Sequence, residues 1–362
     1  MKIAQTSHHY YPHSGGTETV VKTIVDGLAS RNNTVHVYSD YDDLKQLKNE
    51  ENVLYHGIKL KRIGKFRFPG SGYWKEIETS DCDILHVQGQ RVWSSDYLYT
   101  HLDRIKSKKV FTAHGYYQLI YGGIFNSLYY GMFMPSFLNK FDRIICLTEE
   151  ERRISERMFP KISDRLTVLP NPVDFNRIDG VSISDNVLEK YNLVKNNFFI
   201  HAGGLQRNKN IEFILEAMKG IRVPLVLCGN IPDRSYFEKI KAAADQMKVE
   251  LRVLGSINEE ELFSLMRSAR FYLSGSIFEG FGISMVESSY LGTMVIANNA
   301  GIASELQEMG GLKIAINPEQ MHELLESNVK IEDQDSLKET LRKKFSRDEI
   351  IDRMIELYGE LL

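Results

Sequence analysis

Short apolar runs alternate along this chain with longer stretches in which apolar residues recur at helical spacing. Such alternation is typical of βαβ units and favours parallel sheets covered by helices. The pattern is interrupted at Pro170-Asn171-Pro172 and then begins again. A length of 362 residues is enough for two domains of ordinary size. We therefore predict an α/β protein with two doubly wound, Rossmann-like domains facing a central cleft.

The apolar runs give the predicted strands. In the first half these are Lys2–Gln5, Val35–Ser39, Ile84–Gln88, Lys109–Ala113 and Arg143–Leu147. In the second half they are Phe198–Ala202, Leu225–Cys228, Leu251–Leu254, Arg270–Ser274 and Thr293–Ala297. Helices are predicted at Thr17–Ser30, Ile211–Lys219, Glu259–Ser268 and Asp348–Leu361. The predicted domains are residues 1–176, on which a C-terminal helix at 348–362 packs back, and residues 177–347.

The net charge of −3 argues against nucleic acid as a partner. Residues 1–178 hold 24 Lys and Arg against 20 Asp and Glu, whereas residues 179–362 hold 21 against 28. A basic first half could face an anionic surface, and ordinary scatter of surface charge explains the totals equally well.

The three cysteines, Cys82, Cys146 and Cys228, lie in or beside apolar runs, so we predict reduced core residues. Met1 leads into Lys2 and then polar residues rather than into an apolar signal segment. The expected compartment is the cytosol.

The strongest functional signal is the stretch from Ser274 to Glu287. A strand leads into Glu279-Gly280-Phe281-Gly282, and a helix follows. The glycines allow close backbone approach, and a helix N-terminus presents N–H groups that suit a diphosphate. If the helix begins just after Glu279, that carboxylate lies at its mouth, and Glu287 can accept hydrogen bonds from a ribose. A lone Glu-Gly would more simply be a solvated helix cap.

Three further loops carry candidate residues. The segment Gly203–Asn210 offers a glycine turn with Lys209 as a point charge for phosphate oxygens. The glycine-rich loop His8–Glu18 is neither a Rossmann nor a Walker motif. Its three histidines lack a carboxylate or cysteine that would complete a metal set in the sequence, so no metal is predicted. His114 follows a predicted strand and precedes a glycine, a place where it could contact a ligand.

Together these motifs resemble glycosyltransferase family 4, retaining enzymes of the GT-B fold, over almost the whole chain. The resembling elements are Gly15-Gly16, His114-Gly115, Asp142–Ile145, Pro170–Asp174, Gly203–Lys209, Gly229, Glu279–Glu287 and Gly292–Val295.

The resemblance implies a role for each candidate residue. His114 and Glu279 would be catalytic, beside the transferred sugar. The donor diphosphate would be held by Gly15, Gly16, Lys209, Gly280, Phe281, Gly282 and Ile283. The ribose and base would be bound by Glu287, Gly229, Ser256 and Ile257. The donor is then a substrate, a UDP- or GDP-sugar, and neither cofactor nor metal is expected.

Two positions depart from the family. Gly204 stands where an arginine is usual, and we hypothesise that Arg207 replaces it at the diphosphate. Met294 stands where a proline is usual, a change expected to be structural. Asp81-Cys82-Asp83 matches the metal-binding string of another glycosyltransferase class, but it precedes an apolar strand and is predicted to be a turn.

The sequence constrains the acceptor substrate less than it constrains the donor. Residues 59–68 interleave Lys and Arg with phenylalanine, and residues 117–139 contain no charged residue. Both suit a lipid-phosphate-linked acceptor and peripheral membrane contact, while a solvated loop and a packed core helix are the alternatives. We predict transfer of a hexosyl or N-acetylhexosaminyl group to a glycan or lipid-linked acceptor. A nucleotide-sugar epimerase and a non-catalytic binding protein remain alternatives, whereas a dehydrogenase would need a glycine fingerprint that the sequence lacks.

Overall fold

The structure is a computed structural model that describes residues 1–13, 15–64, 66–70, 72–116, 123–184 and 186–362, without the side chains of 62, 63, 66, 124 and 125. The described chain divides into two compact units. Unit 1 is Met1–Pro172 with Arg347–Leu362, and unit 2 is Val173–Ser346. The boundaries lie at 172/173 and 346/347, a few residues before the predicted ones.

Unit 1 is built on a parallel sheet. Its strands and one hairpin are β1 Lys2–Thr6, β2 Thr34–Asp40, β3 Val53–Ile58, β4 Leu60–Ile63, β5 Phe66–Pro69, β6 Ile84–Gln88, β7 Lys108–Thr112, β8 Arg143–Cys146 and β9 Leu166–Val168. The parallel order within the described residues is β3-β2-β1-β6-β7-β8-β9, and β4 pairs antiparallel with β5. The chain reverses its direction of travel across the sheet between β1 and β6, which is where doubly wound sheets bind ligands.

Helices cover this sheet. They are α1 Gly16–Ala29, α2 Tyr41–Leu44, α3 Tyr73–Thr79, α4 Trp93–Asp96, α5 Ile124–Leu128, α6 Met134–Leu138 and α7 Glu149–Met158. Shorter 3-10 turns lie at Leu102–Arg104 and Pro160–Arg165, and a π turn at Tyr129–Phe133 joins α5 to α6.

Unit 2 repeats the plan. Its helices begin with α8 Phe175–Gly180 and α9 Asn186–Lys190, and its strands are β10 Phe199–Ala202, β11 Leu225–Cys228, β12 Leu251–Gly255, β13 Phe271–Ser274, β14 Val295–Ala297 and β15 Leu312–Ile314. The strands pair in parallel in the order β12-β11-β10-β13-β14-β15. The remaining helices are α10 Ile211–Ala217, α11 Arg234–Met247, α12 Glu259–Ser268, α13 Ile283–Tyr290, α14 Ala303–Glu308, α15 Pro318–Glu326 and α16 Gln334–Phe345.

The last helix, α17 Arg347–Gly359, belongs to unit 1 and packs on α1. Gly27 in α1 permits this contact, because a Cβ there would lie 2.9 Å from the Cδ1 of Ile351. Arg31 adds an ion pair of 3.2 Å to Asp348. The chain therefore leaves unit 1 once and returns to complete it.

These observations confirm the prediction of two doubly wound α/β domains. The cysteines are free and buried. β3, β4, β5, β9 and β15 were not predicted. In unit 2, apolar side chains on one face of the sheet and on the helices that cover it are almost inaccessible, and each such burial contributes about 1.5–3 kcal/mol. Examples are Phe199, Ile214, Leu227, Phe271 and Ile296.

Candidate functional site

Lys209 and Glu279 meet in unit 2, where the Lys209 Nζ lies 2.6 Å from the Glu279 Oε1. Lys209 ends the 3-10 turn Arg207–Lys209 after β10, and Glu279 lies in the loop after β13. The Ser276 hydroxyl also donates to Glu279 Oε1, at 2.7 Å. A cation and a carboxylate thus share one place at the carboxyl ends of two adjacent strands, where a doubly wound sheet binds ligands.

Close backbone packing brings these two loops together. The Ile277 N–H donates to the Asn208 carbonyl at 2.9 Å. Gly275 lies against the Asn210 carbonyl, and a Cβ at Gly275 would also lie 3.2 Å from the Phe213 Cβ. A larger residue at Gly275 would therefore push the Glu279 loop away from the Lys209 turn.

The charge state of Glu279 follows from its neighbours. Burial alone would raise its pKa, but the Lys209 ammonium and the Ser276 hydroxyl outweigh burial, so the pKa lies below its ordinary value. Glu279 is therefore a carboxylate at neutral pH. It can accept hydrogen bonds from a ligand's hydroxyl groups, and Lys209 can donate to phosphate oxygens.

The turn after Glu279 differs from the predicted geometry. The expected helix start just after Glu279 is wrong, because α13 begins at Ile283 and Gly282 precedes it with φ 101°. Glu279 therefore lies in a loop, and its side chain is oriented by the Ser276 and Lys209 contacts rather than by a helix. Gly280 lies in that loop, and the Phe281 ring is buried 5.6 Å from the Phe345 ring.

A glycine that the sequence analysis missed supports this turn. The Ile302 N–H donates to the Phe281 carbonyl at 2.8 Å. A Cβ on Gly301 would lie 2.5 Å from the same carbonyl oxygen and 2.8 Å from the Glu279 Cβ, and Gly301 has φ 61°. The segment after β14 can approach the turn this closely only because Gly301 has no side chain.

Glu287 lies on α13 and is paired inside unit 2. Arg177 contacts Glu287 at 2.8 Å and Glu259 at 2.7 Å. Burial raises the pKa of Glu287 to about 7, an effect that Arg177 opposes. Arg177 was not predicted, because 110 positions separate it from Glu287 and no motif contains it.

The predicted nucleotide-binding residues border three successive strands. The Gly203 N–H donates to the Cys228 carbonyl, and the Gly229 N–H donates to the Gly255 carbonyl, each at 2.8 Å. Gly229 has φ 139°, and a Cβ there would overlap the Gly203 carbonyl group. Ser256 and Ile257 directly follow β12. The strand ends are thus packed backbone to backbone, and they bring Gly203, Gly229 and the segment Ser256-Ile257 to one edge of the sheet.

The structure shows different surroundings for Gly204 and Arg207. A Cβ at Gly204 would lie 2.7 Å from the Asn230 Oδ1, so an arginine there would require Asn230 to move. Arg207 pairs with Asp233 at 3.3 Å and lies over the Tyr236 ring, with about half of its side chain exposed. Its guanidinium would have to leave Asp233 in order to replace the missing arginine.

In unit 1, His114 follows the end of β7 and has φ 57°. Its Nε2 lies 2.7 Å from the Gln88 Oε1, and the Gln88 amide donates to the Gln5 Oε1 at 3.0 Å. Burial lowers the pKa of His114 to about 4, so the ring is neutral. Since the Gln88 oxygen can only accept, His114 carries its proton on Nε2 and presents an acceptor at Nδ1.

The hydrogen-bonded chain continues to α17. The Gln5 amide lies 3.4 Å from the Tyr358 hydroxyl, which lies 2.6 Å from the His86 Nδ1. All of these side chains are almost fully buried. Glu151 supports the neighbouring loop by accepting the Gly115 N–H at 3.1 Å. An unbroken series of polar contacts, from Tyr358 through Gln5 and Gln88, therefore connects α17 with His114.

The Gly15-Gly16 loop begins α1, with Gly15 as its N-cap. Glu18 folds back onto this end, since a Cβ on Gly15 would lie 2.9 Å from its carboxyl carbon. His8 lies 3.9 Å from Glu18. The acidic side chain occupies the place where the resemblance implies a diphosphate, so Glu18 would have to move when an anion binds.

Asp43 supplies the carboxylate that sequence spacing did not reveal near the histidines. Ligand atoms of His9, His13 and Asp43 lie within 4.8 Å of one another. His9 Nδ1 is 2.8 Å from Asp43, while the Arg67 guanidinium lies 3.4 Å from His9 Nε2 and 3.2 Å from Asp40. Because hydrogen bonds and a neighbouring cation already account for this cluster, we assign no metal to it.

The predicted membrane segments are only partly described. In 59–68, Lys65 lies outside the described residues, while Lys59 and Lys61 are exposed. In 117–139, residues 117–122 lie outside them. Leu128 and Met132 are exposed, whereas Tyr130, Met134, Phe137 and Leu138 are buried. Within the described residues, no helix is both long and apolar enough to cross a bilayer. Asp81 lies in a turn before β6, with φ 50°, as predicted.

Two family models together match most of the chain. Residues 14–177 match the model described as Glycosyltransferase Family 4, and residues 184–348 match the one described as Glycosyl transferases group 1. An uncharacterised glycosyltransferase of Methanocaldococcus jannaschii is 24% identical, over 100% of this chain and 99% of its own length.

Two further proteins are similar. The GDP-mannose:cellobiosyl-diphosphopolyprenol alpha-mannosyltransferase of Xanthomonas campestris is 23% identical, over 90% of this chain and 86% of its own length. The crystal structure of Anabaena HepE in complex with UDP-glucose has a TM-score of 0.75 at 16% identity, over 100% of both chains. At this identity the structural similarity establishes the fold alone.

Proposed function

The chain belongs to glycosyltransferase family 4 and has the GT-B fold, and on that premise we propose that it transfers a sugar from a nucleotide-diphosphate donor with retention at the anomeric carbon. The transferred group is a hexosyl or N-acetylhexosaminyl unit. The acceptor is a glycan or a lipid-linked glycan.

The pairing of Lys209 with Glu279 is the observation that carries this proposal. In the absence of a ligand, the cation and the carboxylate neutralise each other. When a diphosphate sugar binds, Lys209 can turn to the phosphate oxygens, and Glu279 is left to accept hydrogen bonds from the sugar hydroxyls. The N-terminus of α13, opened by Gly282, would add backbone donors for the second phosphate.

The same residues suggest how the reaction proceeds. The bond between the anomeric carbon and the phosphate oxygen breaks as the acceptor oxygen attacks from the same face. The acceptor's proton passes to the departing phosphate. Lys209 and the α13 N-terminus stabilise the negative charge that develops on the leaving group, which is where preorganised donors have their largest effect. We propose that these groups act without a metal or cofactor.

The ends of the donor would contact separate residues. Glu287 would bind the ribose, with Arg177 orienting its carboxylate and favouring the charged form against the effect of burial. The backbone around Gly229, Ser256 and Ile257 would meet the base, which favours neither UDP nor GDP. In unit 1, His114 would offer its Nδ1 as a hydrogen-bond acceptor to a substrate hydroxyl.

A thermal-shift panel of UDP-glucose, GDP-mannose and ADP-glucose tests the donor proposal. Ligands that bind the folded state stabilise it by about 2.7 kcal/mol at 100 times their Kd. We expect the melting temperature to rise by several degrees with one nucleotide sugar, equally with and without EDTA. A panel in which none of them raises the melting temperature would contradict the proposal, and stabilisation lost in EDTA would contradict its metal independence.

Product analysis separates transfer from epimerisation. A transferase gives a new glycoside only when acceptor is present, whereas an epimerase converts the donor alone. A non-catalytic protein would bind donor without any product. The glycine at position 204, where the family usually has an arginine, motivates that last alternative. Turnover with a lipid-linked glycan would exclude it.

A further inference from the structure

His201 is a buried histidine that none of the motifs includes. It lies in β10 and is 1% exposed. Its Nδ1 is 2.9 Å from the Leu273 carbonyl oxygen, which can only accept, so Nδ1 carries the proton and Nε2 bears a lone pair. Burial lowers the pKa of His201 to about 4, which keeps the ring neutral.

The His201 Nε2 atom is buried and has no hydrogen-bond partner among the described residues. A buried acceptor without a partner loses the hydrogen bond that it would make to water, and a ring bonded to Leu273 cannot turn to relieve this without losing that bond. A buried polar atom without a partner calls for an explanation, and a ligand that completes it is one.

The space beside this nitrogen is bounded by a second polar group. A Cβ on Gly203 would lie 3.7 Å from the His201 Nε2, 3.9 Å from the Lys209 Nζ and 3.6 Å from the Lys209 Cε. The His201 Nε2 and the Lys209 Nζ therefore both face the position that a side chain at residue 203 would occupy. Because Gly203 has no Cβ, no side-chain atom of that residue stands between the acceptor on His201 and the donor on Lys209.

The chemistry of the two groups selects what can occupy the space. A phosphate or carboxylate oxygen could accept a hydrogen bond from Lys209. It has no hydrogen to donate to Nε2, and its lone pairs would repel the lone pair on that nitrogen. A hydroxyl satisfies both, because its oxygen accepts from Lys209 and its hydrogen is donated to His201. Since Lys209 also contacts Glu279, the hydroxyl belongs to the transferred sugar rather than to the base.

We propose that His201 is a further donor-binding residue, whose Nε2 accepts a hydrogen bond from a hydroxyl of the transferred sugar. This inference rests on the proposed function, because it takes a nucleotide sugar as the ligand. It adds a contact that distinguishes the complete donor from the nucleoside diphosphate left after transfer.

Two substitutions distinguish the contributions of the two ring nitrogens of His201. In His201→Asn the side-chain amide can still donate to the Leu273 carbonyl, but the acceptor at the Nε2 position is removed. In His201→Gln the amide oxygen can reach the Nε2 position. We expect His201→Asn to bind the nucleotide sugar about 3–10-fold more weakly, the effect of one hydrogen bond, and to bind the nucleoside diphosphate unchanged. His201→Gln should recover most of the affinity for the sugar.

His322→Asn is the matched control, because its Nδ1 also contacts a backbone carbonyl, that of Ala217 at 2.7 Å, away from the site. The measurement is calorimetric titration of each variant with UDP-glucose or GDP-mannose, whichever the wild type binds, and with the matching diphosphate. Equal sugar affinity in wild type and His201→Asn would overturn the inference, as would an equal loss of affinity for the diphosphate alone.

Nitrogen-15 NMR of the wild-type protein tests the same contact without any variant. The His201 Nε2 resonance should move when the nucleotide sugar binds and stay in place with the diphosphate. No movement with a bound sugar would refute the contact while leaving the proposed function intact. A wild type that binds no nucleotide sugar would instead remove the proposed function, and this inference with it.

Discussion

Arg207 and Lys209 leave the same 3-10 turn but meet different partners. Lys209 is largely buried against Glu279, whereas Arg207 is half exposed on Asp233. A buried charge-assisted contact contributes more than an exposed one, because water screens the exposed pair. The lysine is therefore the principal cation at the proposed diphosphate site, and the arginine is an auxiliary one.

This difference predicts the result of removing each cation. Lys209→Ala should lower kcat/KM about 100–1000-fold, the usual cost of losing a donor to developing charge. Arg207→Ala should lower it about tenfold if the guanidinium replaces the arginine missing at Gly204. Steady-state kinetics with saturating acceptor measures both. Lys239→Ala, which removes an exposed lysine paired with Glu212, is the control. An Arg207→Ala enzyme as active as wild type would end the compensation hypothesis.

At the level of elements, the loop after β13 is shaped by a segment that follows β14. Gly301 lies directly against Phe281 and Glu279. The turn at Glu279–Gly282 is thus held in place from outside its own motif, because its geometry depends on Gly301 in the segment after β14.

Gly301→Ala should disturb that turn. The added methyl group would collide with the Phe281 carbonyl and the Glu279 Cβ, so we expect turnover to fall at least tenfold. Gly310→Ala provides the control, since Gly310 also has positive φ, at 86°, but has nothing within 4 Å of its Cβ position. Both changes carry similar backbone strain, about 1–2 kcal/mol. Kinetics and melting curves of the two variants should differ in activity more than in stability, and equal activities would refute the contact.

The same elements show how far the sequence was informative. Two of the predicted strands, β6 and β11, have the predicted bounds, and β11 is a continuous apolar run. β9 and β15 contain three residues each, and β3 is broken by His56 and Gly57, so none of them has a detectable period. Pairing with longer neighbouring strands, rather than local pattern, makes these segments extended.

The functional residues divide in a similar way. Those in continuous motifs, including Lys209 and Glu279, could be predicted because chain neighbours mark them. Arg177, Gly301 and His201 could not, because their importance comes from partners far along the chain. His201 was in addition hidden inside a run that predicted a plain apolar strand.

At the scale of the whole molecule, the charge of unit 1 is nearly balanced. Residues 1–172 and 347–362 together hold 25 Lys and Arg against 24 Asp and Glu. The acidic residues of α17 remove most of the excess that residues 1–178 have by themselves. Attraction to an anionic membrane would therefore depend on local groups, the exposed Lys59 and Lys61 and the exposed Leu128 and Met132. We propose that these groups make such contact at a cytoplasmic membrane face.

Co-sedimentation with vesicles of 30% phosphatidylglycerol in phosphatidylcholine tests that contact. We expect the wild type to bind at low salt. Lys59→Glu with Lys61→Glu should weaken binding about 30-fold or more, since each basic residue near the surface contributes about 1 kcal/mol. Lys106→Glu with Lys108→Glu, equally exposed in unit 1, should have a smaller effect. Absence of wild-type binding, or equal losses in both pairs, would contradict the proposal.

Because α17 belongs to unit 1 but follows unit 2 in the chain, the two units are completed in a fixed order during synthesis. Unit 2 is one uninterrupted stretch of chain, so it can fold as soon as it leaves the ribosome. Unit 1 cannot be completed until α17, which follows unit 2 in the chain, has been synthesised. Until then Gln5 and His86 have no contact with Tyr358, and α1 has no contact with Ile351. The nascent protein would thus hold a finished unit 2 while unit 1 is still incomplete, and that incomplete unit is what a chaperone would meet.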